Sequence, residues 1–201
     1  MKSFYGRRLS RALSARQKEL LETRCSQMRI GSFEKNKKYH LEIGFGTGDF
    51  LTYMAETNPH IQFIGCEPFI NGVVSFLQKS NAPNIWITTE SIHDVIDDLP
   101  DFSLDVVYIL FPDPWPKTRH HKRRMIQKDF LEKLKIKTKI IYAATDHPGY
   151  AEHILALGFN EIDRPDFFVS TRYEIKRKAG DPRYFINVSQ HPLKLSLSTH
   201  F

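Results

Sequence analysis

From Tyr39 to Leu157, short apolar runs alternate with helix-length segments. A chain so patterned buries both kinds of element by laying helices on the faces of a largely parallel sheet, because strands that run parallel need helix-sized crossovers between them. The apolar runs predict strands at Tyr39–Phe45, Ile61–Cys66, Ile85–Thr89, Leu104–Leu110 and Lys139–Ala143. The intervening and following segments predict helices at Phe50–Glu56, Asn71–Ser80, Ser91–Leu99, Arg124–Lys135 and Pro148–Leu157. Near the end the rhythm changes. Thr171–Lys178 and Arg183–Val188 read as two strands joined around Ala179-Gly180-Asp181-Pro182, an antiparallel hairpin that completes the sheet. The fold class expected is α/β, with a mostly parallel sheet and a C-terminal antiparallel hairpin.

A length of 201 residues suits one domain with a sizeable core. Residues 1–38 are polar and basic, with a helix possible over Ser14–Arg29, and read as an arm; 39–190 form the domain and 191–201 a tail. Against 23 Asp and Glu stand 29 Lys and Arg, a formal charge of +6 that suits an RNA or DNA partner without requiring one. Cys25 and Cys66 lie far apart and neither belongs to a C-x-x-C pair, so no disulfide framework and no zinc site is expected. No apolar run approaches the roughly 20 residues of a membrane span, and the arginine-bearing amino terminus lacks an apolar signal core. The expected location is cytoplasmic, with no membrane and no metal; monomer and homodimer both stay open.

The first strand runs into Leu41-Glu42-Ile43-Gly44-Phe45-Gly46-Thr47-Gly48-Asp49. Glycines at a strand-to-helix turn let a ligand approach the backbone, and the helix beyond presents unpaired N–H groups. Where the dinucleotide fingerprint G-x-G-x-x-G would place a third glycine, this chain has Asp49, which speaks against NAD or FAD. Glu67 ends the second strand about 20 residues beyond the glycines, where a carboxylate accepts hydrogen bonds from ribose hydroxyls. The pair of signals reads an adenosine-type ligand.

Just past the Leu104–Leu110 run comes Phe111-Pro112-Asp113-Pro114-Trp115-Pro116-Lys117, followed by Arg119-His120-His121-Lys122-Arg123-Arg124. The prolines fix their own φ and push Phe111, Asp113 and Trp115 towards extended backbone, so Asp113 sits on a stiff segment at a strand's carboxyl end. The cationic run should lie at the amino end of the next helix, where the helix dipole disfavours it and a polyanion would compensate. Trp115 suits either a base-stacking platform or a core cap. His93 and His153 read as ordinary helix-surface residues.

These segments carry a resemblance. The glycine turn with Glu42 and Glu67 resembles the S-adenosylmethionine site of the seven-stranded, Rossmann-like methyltransferases. The proline-flanked motif with its basic tail resembles the bacterial tRNA (guanine-N7-)-methyltransferases specifically, as do Glu67-Pro68-Phe69, Thr145-Asp146-His147-Pro148-Gly149-Tyr150-Ala151-Glu152-His153 and Thr171-Arg172-Tyr173-Glu174. The resemblance implies S-adenosyl-L-methionine as cofactor and tRNA as partner. It implies cofactor or catalytic roles for Glu42, Gly44, Gly46, Glu67, Ser91 and Asp113. Lys117, Asp146, Thr171, Arg172, Tyr173 and Glu174 become substrate-binding residues, and Arg119, His120, His121, Lys122, Arg123 and Arg124 face RNA. Two departures stand out: Ser91-Ile92, with Glu90 beside it, replaces an acid or amide followed by alanine, leaving either the Ser91 backbone or the Glu90 carboxylate to hold the adenine amine. Arg172-Tyr173 replaces Lys-Phe, which alters the donor geometry of the cation.

The chemistry agrees. Guanine N7 carries a lone pair and no proton, so methyl transfer needs alignment more than a strong base, and Asp113 is assigned to that alignment. Asp146 and Glu174 are assigned to the N–H donors of the guanine pairing edge. An amino-methyltransferase acting on adenine N6 or cytosine N4 is the rival enzyme, although Trp115 stands where its motif has a second proline. A non-catalytic RNA-binding protein on the same fold is the alternative from another class.

Overall fold

The structure, a computed structural model, describes residues 5–169 and 180–189. Among these residues the strands are β1 (Lys38–Ile43), β2 (Ile61–Cys66), β3 (Ile85–Thr88), β4 (Leu104–Leu110), β5 (Thr138–Thr145), β6 (Asn160–Ile162) and β7 (Arg183–Val188). The helices are α1 (Ala15–Gln27), α2 (Asp49–Thr57), α3 (Ile70–Leu77), α4 (Ile92–Val95), α5 (Lys128–Lys137) and α6 (Pro148–Ala156). The seven strands form one sheet in the order β3-β2-β1-β4-β5-β7-β6. The first five are parallel, and β7 inserts antiparallel between β5 and β6.

Because side chains alternate across a strand, each central strand feeds two cores. Val107 and Ile109 of β4 point into one with Ile141 and Ala143, covered by Ile92 of α4, Phe130, Leu131 and Leu134 of α5, and Tyr150, Ala151 and Ile154 of α6. Tyr108 and Leu110 point into the other with Ala144, where Phe50, Leu51 and Met54 of α2 and Val73, Phe76 and Leu77 of α3 close the face. Beside β5 that second face is covered by Phe167 and Phe168 in place of a helix, Phe167 lying 5.4 Å and Phe168 6.1 Å from the Tyr142 ring. With apolar surface on both sides, the strands read as nearly continuous hydrophobic runs, which made them legible.

The parallel strands fall where the sequence puts them, within two residues at each end. The differences lie elsewhere. The helix expected over Ser91–Leu99 is split into α4 and a 3₁₀ turn at Ile96–Asp98. The short strand β6 has no counterpart in the sequence reading, because three residues are too few for periodicity to register. The expected hairpin strand Thr171–Lys178 lies outside the described residues, and among those described β7 pairs with β5 and β6.

The cationic run does not begin α5. It forms its own 3₁₀ segment, Thr118–Arg123, and α5 starts only at Lys128 after the cap residue Gln127. His120, His121, Lys122 and Arg123 occupy the last turn of that segment, where the backbone dipoles favour positive charge, so the expected dipole conflict is absent.

Asn84 stitches the α2–β2 connection to the edge of the sheet. Its side-chain N–H groups donate to the carbonyls of Ala55, Asn58 and Ile61 at 3.0, 3.2 and 2.9 Å. Removing the amide leaves carbonyl groups in a half-buried turn without that donor, so Asn84→Ala should lower unfolding stability by about 1–3 kcal/mol in a denaturant titration. A midpoint equal to that of the unmodified protein would show that water replaces these bonds at no cost.

Candidate functional site

β1 sits between β2 and β4, and the chain leaves the carboxyl ends of β1 and β4 in opposite directions across the sheet. This is the switch point at which open α/β sheets bind ligands. It holds a cleft of about 320 Å³, lined by Gly44, Gly46, Glu67, Ser91, Asp113 and Trp115 among others. Positions singled out from sequence and far apart along the chain therefore share one cavity.

The glycine turn has a left-handed backbone at Gly44, Gly46 and Gly48, with φ of 79, 56 and 71°. α3 packs hard against it: a Cβ on Gly72 would come within 2.6 Å of the Gly46 carbonyl. Glu67 locks the turn from the other side. Its Oε2 accepts from the Gly46 N–H and its Oε1 from the Phe69 N–H, both at 2.8 Å. Burial raises the Glu67 pKa, the two N–H groups pull it back, and the charge of Asp113 across the cleft pushes it up again.

Glu42 lies below the turn, 4% exposed, with its Oε2 lacking a partner. Burial, reinforced by Glu67 and Asp49, pushes its pKa up to about 8, against which a Leu51 N–H donates. Glu42 stands outside the cleft lining, behind the glycine turn, where a buried acid with an unused oxygen beside two further acids favours a nearby cationic group.

Ser91 is buried, and its Oγ accepts from the His93 N–H at 3.3 Å to cap α4. Glu90 is turned outward and pairs with Arg8 at 3.0 Å. His93 and His153 are not bare surface residues: His93 lines the cleft and packs edge-on to Phe130 at 4.5 Å, and His153 Nε2 bonds the Ile126 carbonyl at 2.8 Å.

The proline motif departs from the extended backbone expected of residues preceding proline. Phe111 has φ of 50° and Trp115 of 44°, both in the left-handed region. At Phe111 the N–H still donates to Ala144 at 2.8 Å, so the chain turns sharply as it leaves the sheet. At Trp115 the ring is engaged by the cationic segment, with the Arg123 guanidinium 5.0 Å from its centroid and His120 edge-on at 5.7 Å. Tertiary contacts thus override the local steric preference. Asp113, exposed between these two positions, faces the cleft.

The cationic run divides. Lys117, Arg119 and Lys122 are exposed and stand outside the cleft lining. His120 and His121 are half-buried, the His121 carbonyl accepting from Gln127 Nε2 at 2.8 Å. Arg123 lines the cleft, sandwiched between Trp115 and Tyr5, whose ring lies 5.5 Å from its guanidinium. Arg124, expected from sequence to face RNA, is the buried member of the run. It is 4% exposed and binds two backbone carbonyls, Pro114 at 2.9 Å and Gly149 at 3.0 Å.

Asp146 stands half-buried directly after β5, outside the cleft lining. Thr171, Arg172, Tyr173 and Glu174 lie outside the described residues. Sequence reasoning missed Tyr5, Gly6 and Arg7, which line the cleft. They are brought there by the segment that follows: the Ile70 N–H donates to the Arg8 carbonyl at 2.8 Å, and Asn71 exchanges bonds with Ser10 and Arg11. Contacts spanning some 60 residues leave no local pattern to read. Among the described residues no cluster of three or more His, Cys, Asp or Glu could hold a metal, and no helix is long and apolar enough to cross a membrane.

Comparison with known proteins adds to this geometry. The profile of a family described as "Putative methyltransferase" matches residues 36–177. A tRNA (guanine-N(7)-)-methyltransferase of Caulobacter vibrioides is 39% identical, the match covering 88% of this chain and 89% of the relative. One of Roseobacter denitrificans is 34% identical over 94% of this chain and 97% of its own length. A 16S rRNA (adenine(1408)-N(1))-methyltransferase variant of Catenulisporales acidiphilia, solved with its cosubstrate SAM, superposes with a TM-score of 0.51 over 92% of this chain and 95% of that one. At 15% identity the last comparison speaks to the fold alone.

The raised Glu42 pKa has a consequence for stability. The folded protein keeps that proton at pH values where the unfolded chain releases it, so Glu42 makes stability fall as pH rises from about 4.5 to about 8. Glu42→Gln, isosteric with the protonated acid, should flatten this slope and be the more stable form at the alkaline end. Thermal unfolding of both proteins across that window checks it; identical slopes would remove Glu42 as their source.

Proposed function

Because the chain belongs to the tRNA (guanine-N(7)-)-methyltransferase family, we propose that it transfers a methyl group from S-adenosyl-L-methionine to N7 of a variable-loop guanine in tRNA, forming 7-methylguanosine. The observation that carries this reading is the glycine turn locked by Glu67 in the same cleft as Asp113.

The residues present fit the cofactor. A Cβ on Gly44 would meet nothing within 4 Å, which leaves open space directly over the turn. Glu67, oriented by two backbone donors, keeps lone pairs for a ribose diol, and Ser91 offers a wall for adenine. The unpartnered Glu42 oxygen beneath the turn suits a ligand bearing positive charge. When bound, the cofactor supplies a methyl group on a positively charged sulfur.

The chain's own part is alignment. Guanine N7 has no proton to lose, so Asp113 serves to hold the base and to offset the positive charge that the ring acquires on methylation. Asp146 and Glu174 take the N–H donors of the pairing edge, and Lys117, Thr171, Arg172 and Tyr173 are further substrate-binding residues. The exposed Lys117, Arg119 and Lys122, with His120 and His121, contact RNA phosphates, and Arg123 reaches from that patch into the cleft. Residues 39–190 form the catalytic domain, 1–38 a basic arm and 191–201 a tail. The enzyme works in the cytoplasm on tRNA, as a monomer or homodimer. The curated relatives' names favour N7 over the amino-methyltransferase reading, as does Trp115 at the position where that class has a second proline.

Incubating bulk tRNA with labelled cofactor and hydrolysing it to nucleosides should yield 7-methylguanosine and neither N6-methyladenosine nor N4-methylcytidine. Either amino-methylated product would transfer the assignment to the rival. Asp113→Ala should lower kcat roughly a hundredfold or more while tRNA affinity persists. Full turnover in that variant would deny Asp113 its role. Arg119→Ala with Lys122→Ala should reduce the logarithmic salt slope of tRNA binding by about one for each phosphate no longer neutralised. An unaltered slope would make the run a solvated surface.

A further inference from the structure

Arg124 closes the cationic run yet is the member that the structure buries. Removing a guanidinium from water is costly unless its donors are satisfied. Here Nε donates to the Pro114 carbonyl at 2.9 Å and Nη1 to the Gly149 carbonyl at 3.0 Å, the guanidinium carbon lies 5.0 Å from the centroid of the Tyr150 ring, and Nη2, also buried, has no hydrogen-bond partner. Tyr150 is itself pinned, since its hydroxyl oxygen accepts from the Ile126 N–H at 3.0 Å.

The two carbonyls belong to different loops. Pro114 follows Asp113 on the loop leaving β4, and Gly149 lies three residues beyond Asp146 at the start of α6. One planar fork therefore ties the backbone beside one acid to the backbone beside the other, with a fixed separation between its two donors. The Pro114 end also adjoins strain: Trp115, the next residue, has φ of 44° before Pro116, a conformation that its neighbour's ring disfavours. Such a conformation persists only when its surroundings hold it. The bond from Arg124 to Pro114 is placed to do so.

The geometry points to Arg124 as a positioning residue, which sets the Asp113 loop at a fixed distance from the Asp146 loop and so registers the guanine against the methyl donor. The inference rests on the function proposed above. It separates Arg124 from its exposed neighbours: they bind the polyanion, and it holds the site in shape. Loss of the fork lets Trp115 relax towards extended backbone and carries Asp113 with it. The effect should appear in turnover and not in tRNA capture.

The test uses the full-length enzyme with Arg124→Ala and Arg124→Lys, each assayed well below its own melting temperature so that all molecules are folded. A residue needed only for stability leaves kcat unchanged under that condition. Both variants should lose kcat roughly tenfold to a hundredfold, the cost of a displacement on the order of an ångström, with KM for tRNA and the salt slope of tRNA binding unaltered. In Arg124→Ala, low-millimolar guanidinium should restore part of the missing turnover by refilling the space between the two carbonyls, and an equal concentration of sodium chloride should not. Should Arg124→Ala fail to fold, Arg124→Lys keeps the charge and decides alone through its kcat. Unchanged kcat in the folded variants would overturn the inference, and so would a salt slope reduced by about one, which marks a phosphate contact. The unmodified enzyme run alongside separates the two readings: if it forms no 7-methylguanosine, the function fails; if it does and the variants match it, only the role of Arg124 fails.

Discussion

The site depends on parallel pairing of β1 with β2 on one side and β4 on the other. That arrangement sends the two crossovers away from each other and leaves a crevice beyond the carboxyl ends, into which the turns after β1, β2 and β4 project. Glu67 then fixes the crevice's shape by engaging one backbone N–H with each oxygen, one from the glycine turn and one from the entry to α3. A single carboxylate joins two strand ends and still faces the cavity. Inside the crevice Glu67 and Asp113 stand with Arg7 and Arg123, whereas Lys117, Arg119 and Lys122 are exposed outside it. The exposed cations outside suit a polyanion.

The loop after β4 shows how such a site is held. Phe111 and Trp115 adopt left-handed backbone before prolines, against local preference at both positions. What sustains them is distant in sequence or turned in from the neighbouring segment: the Ala144 carbonyl on β5, Arg123 over the Trp115 ring and Arg124 on the Pro114 carbonyl. The cationic stretch thus works on both sides of the loop. Its exposed members are available to a polyanion, whereas its last two arginines are drawn inward, one into an aromatic sandwich and one into a clamp between two loops.

The N-terminal segment is the larger surprise. Read as a basic arm, it brings Tyr5, Gly6 and Arg7 to the cleft and fastens Arg8, Ser10 and Arg11 to residues around the start of α3 and the end of β3. Nothing local announces this. The bonds use backbone groups and common polar side chains, and each joins positions some 60 to 80 residues apart.

By itself the sequence determined the five parallel strands of the sheet, since strands buried on both faces must be apolar throughout and their spacing admits little but right-handed crossovers. It also determined the chemistry on offer, because a glycine turn, an acid about 20 residues on and an acid among prolines each require particular residue types at particular distances along the chain. Only the tertiary structure decided which side chains would serve that chemistry. A guanidinium looks the same in sequence whether it meets water, an aromatic ring or a buried carbonyl. Arg119, Arg123 and Arg124 belong to one short run, yet the fold sorts them into solvent, an aromatic sandwich and a buried clamp. Of the partners that do the sorting, Pro114 and Trp115 stand just before the run, but Tyr5 and Gly149 come from distant segments that only the fold brings to it.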